Sequence, residues 1–272
     1  MGDDEGIITY RTLPRRTVID QSMDLKNKNN GVFTYGIMAT VPGTGAWIMV
    51  RIRHSSAYSY ILHGSYQPVH LHDLLRSITL NEYNTLVDIV SSDNPMETFT
   101  KWYKLTFVPN SPYSDYACTR LLDVKEDILE FEHMDELPES CNYSFPKGRK
   151  AIGEKEALDA ALREFHEETG IQEEGTVLPE YVEYETIGHG GRYYSIRCWI
   201  MHFDKLIDLQ GVDPIDTAEI SKCEWIKYDV QAQPRALSTL YPIGQTLDGK
   251  NVRMEREVMY LTQSAAKKGL LL

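Results

Sequence analysis

The chain has 272 residues, 42% of them hydrophobic and 25% charged, and a formal net charge of -12. That length suffices for one large domain or two small ones with their own cores. The acidic balance excludes a protein that coats nucleic acid through a globally basic surface, though not one with a local basic groove.

Residues 1–30 read as a polar segment with a short basic spot, "PRRT". "GVFTYGIMATV" and "GAWIMVRIRH" are rich in strand formers and joined by "PGTG", which predicts a β-hairpin. From 55 to 137 the texture turns helical. Leu71, Leu74, Leu75, Ile78, Leu86, Ile89 and Val90 recur at mostly helical spacing, and "NPMETFTKWYKLTF" and "YACTRLLDVKEDILEFEHM" continue it. "PKGRKAIGE" carries Pro146, Gly148 and Gly153 and reads as a loop. A helix is predicted over 155–169, followed by the strand-like runs "EYVEYETIG", "YYSIRCWIMHF" and "KCEWIKYD". "RMEREVMYLTQSAAKKG" closes the chain as an amphipathic helix. This order predicts an α/β sandwich built from 31–54 and 138–272, interrupted by a mainly helical insertion at 55–137.

Cys118, Cys141, Cys198 and Cys223 show no C-x-x-C spacing, so buried thiols in a reducing compartment are expected. No apolar run approaches the roughly 18 residues of a membrane span, and "MGDDEGIITYRT" lacks an apolar signal-peptide core. The expectation is a cytoplasmic protein with no membrane partner.

The chemistry concentrates in the 155–169 helix. Leu158, Ala161, Leu162 and Phe165 give it an apolar stripe for the core, and Gly170 stands where a left-handed C-cap belongs. Glu164, Glu167 and Glu168 share one face. Three bare carboxylates there repel one another, close to a helix C-terminus that already disfavours anions. A hard divalent cation, Mg²⁺ or Mn²⁺, removes the conflict because it prefers oxygen ligands. Arg163 lies four residues before Glu167 and can orient it by charge-assisted hydrogen bonds.

Gly148, Glu154, Arg163, Glu164, Glu167, Glu168, Gly170 and Ile171 together resemble the Nudix box, G-x5-E-x7-R-E-U-x-E-E-x-G-U with U aliphatic. Eight residues separate Glu154 from Arg163 where the pattern has seven, so Glu154 is displaced or Glu156 replaces it. Phe165 takes the aliphatic place. The resemblance implies a Nudix α/β/α sandwich with a mixed sheet. It implies hydrolysis of a nucleoside diphosphate linked to another group, with metal on Glu164, Glu167, Glu168 and Gly148.

"FPKG" before the box and "AEISKCEW" after it are similar to the mRNA-decapping Nudix enzymes, a likeness that transfers their metal-facing glutamate to Glu219. The stretch from "RHSSAYSYILHGSY" through "FTKWY" resembles the Nudix hydrolases of large cytoplasmic DNA viruses. The implied substrates are capped mRNA and diphosphoinositol polyphosphates, which share a pyrophosphate bridge. Glu219 is the expected general base, with Glu168 second and Arg163 supporting. Lys147, Arg149, Lys101, Trp102, Lys104, Arg192 and Tyr193 are the expected substrate or RNA contacts, alongside Arg76, Arg120, His189 and Tyr194. Two other readings stay open: a small-molecule phosphohydrolase, and a non-catalytic RNA-binding module of the same fold.

Overall fold

The computed structural model describes residues 31–106, 114–187, 193–216, 219–228 and 242–271. The polar segment 1–30, with "PRRT", lies outside them. The hairpin forms as β1 (Val32–Thr40) and β2 (Ala46–Ile52), joined by a turn in which Gly43 and Gly45 take positive φ. Between β2 and the rest of the sheet comes a run of helices: α1 (Ser56–Leu62), α2 (Leu71–Leu75), α3 (Leu80–Ser91), α4 (Pro95–Thr106), α5 (Ser114–Leu122) and α6 (Lys125–Leu129). The single helical texture around Leu71–Val90 resolves into a 3₁₀ turn and two helices. The break falls at Thr79, whose side chain caps α3 in a reciprocal capping box with Glu82.

β3 (Tyr143–Ser144) and β4 (Lys147–Gly148) follow, then α7 (Ala157–Thr169), β5 (Thr176–Ile187), β6 (Tyr193–His202), β7 (Ile220–Lys227), β8 (Ile243–Thr246), β9 (Asn251–Arg253) and α8 (Arg256–Lys267). The helix expected from 155 begins two residues later. The hairpin β8–β9 was not anticipated; its turn carries Gly249 at φ 87° within "LDGK".

The strands make one mixed sheet of order β5-β6-β1-β2-β7-β8-β9. β1 runs parallel to β6 along its full length, from Val32↔Tyr194 to Thr40↔His202. β1 and β2 pair only near their turn, at Thr40↔Trp47, and then diverge. The short strands fill the opening, β4 on β1 and β3 on β2. This wedge puts Lys147 and Gly148 in the middle of the sheet, where a two-residue strand leaves no sequence pattern to read.

Alternation along the strands sends residues to two cores. Ile37, Ala39, Ile48 and Val50 pack with Ala161 and Phe165 of α7. Met38, Trp47, Met49 and Ile200 pack on the other face with Val258, Leu261 and Ala265 of α8. The result is an α/β/α sandwich, set by the two-residue period of strands. The helices α1–α6 close around a core of their own, with Tyr58, Ile61, Leu75, Leu86 and Phe99 at its centre. All four cysteines are buried and free. Among the described residues, no helix is long and apolar enough to cross a membrane.

Candidate active site

Helix α7 carries the site because its two faces do different work. Ala160, Ala161 and Phe165 are buried against the sheet, which fixes the rotation of the helix and turns the glutamates toward β4. The helix stops at Gly170, in the left-handed conformation at φ 75°. A Cβ there would lie 2.2 Å from the carbonyl oxygen of Asp213, so glycine is required by conformation and by space alike.

Arg163 is the hub of the carboxylates. Its Nε donates to Glu154 Oε1 at 2.7 Å, Nη1 to Glu167 Oε2 at 2.7 Å, and Nη2 lies 2.9 Å from Glu164 Oε1. Nη2 also donates to the carbonyl of Arg149 at 2.8 Å. Only the forked guanidinium can serve so many acceptors at once. The geometry selects Glu154 over Glu156: the extra residue is absorbed in the loop, where Glu154 accepts from the Ala151 N–H. Glu156 instead precedes the first turn of α7 and makes no side-chain cap. The bond to Arg163, aided by the Ala151 N–H, holds the Glu154 carboxyl below its usual range.

Gly148 faces Glu164 directly. A Cβ on it would lie 2.0 Å from Glu164 Cδ, so the first glycine of the pattern exists to let a carboxylate close on the β4 backbone. Glu168 lies deeper, 7% exposed, and its Oε2 accepts from the Lys147 main-chain N–H at 2.8 Å. Burial pushes its carboxyl up to about 8, a rise opposed by Lys147 and reinforced by the charges of Glu164 and Glu219.

Glu219 immediately precedes β7. Its carbonyl accepts from the Arg53 N–H at 2.7 Å, and its own N–H donates to Asp216 Oδ1 at 3.2 Å. The residue as a whole is exposed, yet desolvation raises its carboxyl above the ordinary range, followed by the charge of Asp216; Arg149 and Lys147 oppose the rise. Its charge is felt at both Glu164 and Glu168, so it stands within electrostatic range of the α7 carboxylates although some 50 residues from them in sequence. Asp216 was not anticipated. The main-chain N–H groups of Ile215 and Asp216 both donate to the Glu167 carbonyl, at 2.8 and 2.9 Å, which docks this loop on the end of α7. The only signal in the sequence was its place three residues before Glu219.

The donor set can be tested for a divalent cation on its electrostatics. Glu164 and Glu168 are both raised, first by desolvation and further by neighbouring carboxylates. Grouped, partly desolvated oxygen donors of like charge suit a hard cation, and Gly148 keeps the adjoining backbone clear. Among the described residues no three His, Cys, Asp or Glu side chains already stand together as a metal-holding group; Glu164 and Glu167 both lie on the Arg163 guanidinium. The chemistry of the set fits Mg²⁺ or Mn²⁺, with Glu164, Glu167 and Glu168 as the residues that would hold it.

The other expected contacts are scattered. Lys147 turns its side chain away from the cleft: Nζ donates to Ser144 Oγ at 2.6 Å and pairs with Glu257 of α8 at 3.2 Å. Its contact with the site is through its backbone, while its charge still lowers the Glu168 and Glu219 carboxyls. Arg149 is exposed beside Glu219. Lys101 is exposed on α4, while Trp102 packs edge-on to Tyr58 at 5.4 Å and to His54 at 6.1 Å. Lys104 falls on α4, but its side chain is outside the described residues, as are Arg192 and His189 entirely. Tyr193 is buried against Phe33, and its hydroxyl donates to Glu185. Tyr194 meets Tyr60 of α1, hydroxyl to hydroxyl, at 3.1 Å. Arg76 bonds His133. Arg120 stacks on Tyr66 at 5.3 Å and donates to its carbonyl, so it is spent inside the helical module.

Comparison with curated proteins gives no match. Residues 117–243 match the family model for the NUDIX domain. The matched span opens within α5 and ends at Ile243, leaving β1, β2 and α8 outside although they share its sheet and cores. It contains the whole Gly148–Ile171 pattern and supports a Nudix hydrolase, an enzyme of the class that cleaves acid anhydrides.

Proposed function

We propose that this chain is a metal-dependent pyrophosphohydrolase that removes the 5′ cap of mRNA, giving 7-methyl-GDP and 5′-monophosphate RNA. The observations that support the reading are Glu164 closing on Gly148, Glu168 held by the Lys147 main-chain N–H of "FPKG", and the charge of Glu219 felt at both carboxylates. "FPKG" and a glutamate beyond the box are the two features that likened the sequence to decapping enzymes, and both bear on the same few side chains.

In this reading a water attacks one phosphorus of the pyrophosphate bridge. When bound, the divalent cation polarises the phosphoryl oxygens and acidifies the attacking water. Glu164, Glu167 and Glu168 would hold it. Glu219 accepts the water proton, its raised pKa bringing it nearer the operating pH of a base. Arg163 keeps Glu154, Glu164 and Glu167 in place, and the N–H of Lys147 orients Glu168.

The second reading is hydrolysis of diphosphoinositol polyphosphates, favoured by the net charge of -12, which works against binding a long polyanion. Purified protein incubated with cap-labelled RNA and Mg²⁺ or Mn²⁺ separates them. Release of labelled 7-methyl-GDP is expected. Turnover of a diphosphoinositol polyphosphate, with the capped RNA intact, transfers the function to the second reading.

A further inference from the structure

Two cavities meet at Arg51. One, of about 430 Å³, lies between the helical module and the sheet and is lined by Arg53, His54, Tyr58, Trp102 and Ser221. The other, of about 290 Å³, lies beside the β8–β9 hairpin and is lined by Tyr143, Lys222, Lys250 and Arg253. Arg51, Glu139 and Ser140 belong to both walls, so the two adjoin and together make a groove. The first cavity is tied to the active site through the backbone. Ser221 is two residues from Glu219, and Arg53 donates its N–H to the Glu219 carbonyl.

In a chain of net charge -12 this groove gathers Arg51, Arg53, Lys222, Lys250 and Arg253. Four carboxylates share it, and three are engaged. Glu82 is buried and accepts from Ser55 and Thr79. Glu224 accepts from Tyr143 and pairs with Lys222 at 2.6 Å. Asp248 accepts from Thr246. Glu139 is the open one. Arg51 donates from Nε to Ser221 Oγ at 3.0 Å, and among the described residues neither Arg51 nor Lys250 forms an ion pair. Cations along the two cavities, with the Trp102 indole in the wall of the first, suit a single-stranded nucleic acid: phosphates follow the charge and a base can stack on an aromatic side chain.

We infer that this groove carries the RNA body that leaves the scissile pyrophosphate, from Arg53 and Trp102 past Arg51 to Lys250 and Arg253. The inference rests on the reading of capped RNA as substrate. It relocates the RNA path from Lys101, Lys104 and Arg120 to the seam between module and sheet.

The test is the double variant Arg51→Glu/Lys250→Glu, with Arg51→Gln/Lys250→Gln as the milder pair should charge reversal impair folding. The probe is a labelled 5′-monophosphate RNA of ~20 nucleotides, titrated at several salt concentrations. A cap dinucleotide serves as the small substrate. RNA affinity is expected to fall by about tenfold or more, and the salt slope to shrink by roughly 1.4, the loss of two single-strand phosphate contacts. Turnover of the dinucleotide should stay within about twofold, since it ends before the groove. A wild-type enzyme that decaps RNA, paired with variants that keep its RNA affinity and salt slope, overturns the groove alone. Variants that lose dinucleotide turnover in step with RNA binding overturn it too. A wild type that cleaves no capped RNA overturns the decapping reading, and the groove's role with it.

Discussion

The Lys147 main-chain N–H donates to Glu168 Oε2 at 2.8 Å, joining the loop before the glycine to the last carboxylate of α7. No substitution short of proline removes a backbone donor, so the position of Glu168 is written into the course of β4. The carboxylate is nonetheless buried with its pKa raised to about 8. A carboxyl raised on folding is bound to its proton more tightly in the native state than in the unfolded one. Native stability therefore falls as pH rises from the unfolded value near 4 toward 8. The metal-free protein should show a melting temperature that drops across this window, and Mg²⁺ or Mn²⁺ should restore part of it at the alkaline end. Glu168→Gln should flatten the drop. Glu255, raised to about 7 by burial and by Glu257, adds to the same slope, so the difference between wild type and variant is the quantity to read. Parallel pH curves for the two proteins, by differential scanning calorimetry, would falsify the assignment.

Gly148 has no room for a side chain. With a Cβ 2.0 Å from Glu164 Cδ, Gly148→Ala must push that carboxylate off its place. The expected result is a kcat lower by about a hundredfold, while stability falls by only about 1–2 kcal/mol, within the ordinary range for a single substitution. Steady-state kinetics beside a thermal melt decide it: an active Gly148→Ala enzyme removes Glu164 from the chemistry.

Arg163→Lys keeps the charge and loses the fork. One ammonium cannot hold Glu154, Glu164 and Glu167 as Nε, Nη1 and Nη2 do. Activity is expected to drop at least about tenfold with a lowered melting temperature. The companion pair Glu154→Gln and Glu156→Gln should split, the first impaired and the second near wild type. Equal behaviour of the two would undo the choice of Glu154.

Glu219→Gln tests the base. The lost interaction belongs to the transition state, so kcat should fall by about 10²–10⁴ with KM little changed. Because the wild-type carboxyl is raised above its ordinary range, the wild-type rate should climb with pH through its pKa, and the variant should lose that acidic limb. A pH–rate profile in which the variant keeps the limb assigns the base to Glu168 instead.

How far the sequence anticipated this site follows from how local each feature is. The helix α7 was legible because an apolar stripe, a C-cap glycine and an arginine four residues before a glutamate all act within a few turns. β1 and β2 were legible for the same reason, as strand formers around a glycine turn. β3 and β4 are two residues each and exist only because β1 and β2 diverge, a long-range event without periodicity. The direction of Lys147 was hidden because Glu257, its partner, lies 110 positions away on α8. Arg120 looked like a contact for RNA from composition alone; the fold spends it on Tyr66.

Glu82 gives the helical module a mechanical role. Oε1 accepts from the Ser55 N–H at 2.6 Å and takes the Cys141 thiol at 3.6 Å, while Oε2 accepts from the Ser55 hydroxyl and the Thr79 N–H. One buried carboxylate thus pins the point where the chain enters the module to the point where it leaves. Two residues upstream of Ser55, Arg53 grips the Glu219 carbonyl. A continuous chain of hydrogen bonds therefore runs from α3 through Glu82 to Ser55, and along two peptide units to the backbone of Glu219. The module and Glu219 are thus joined in series through two anchored points of one short stretch of chain.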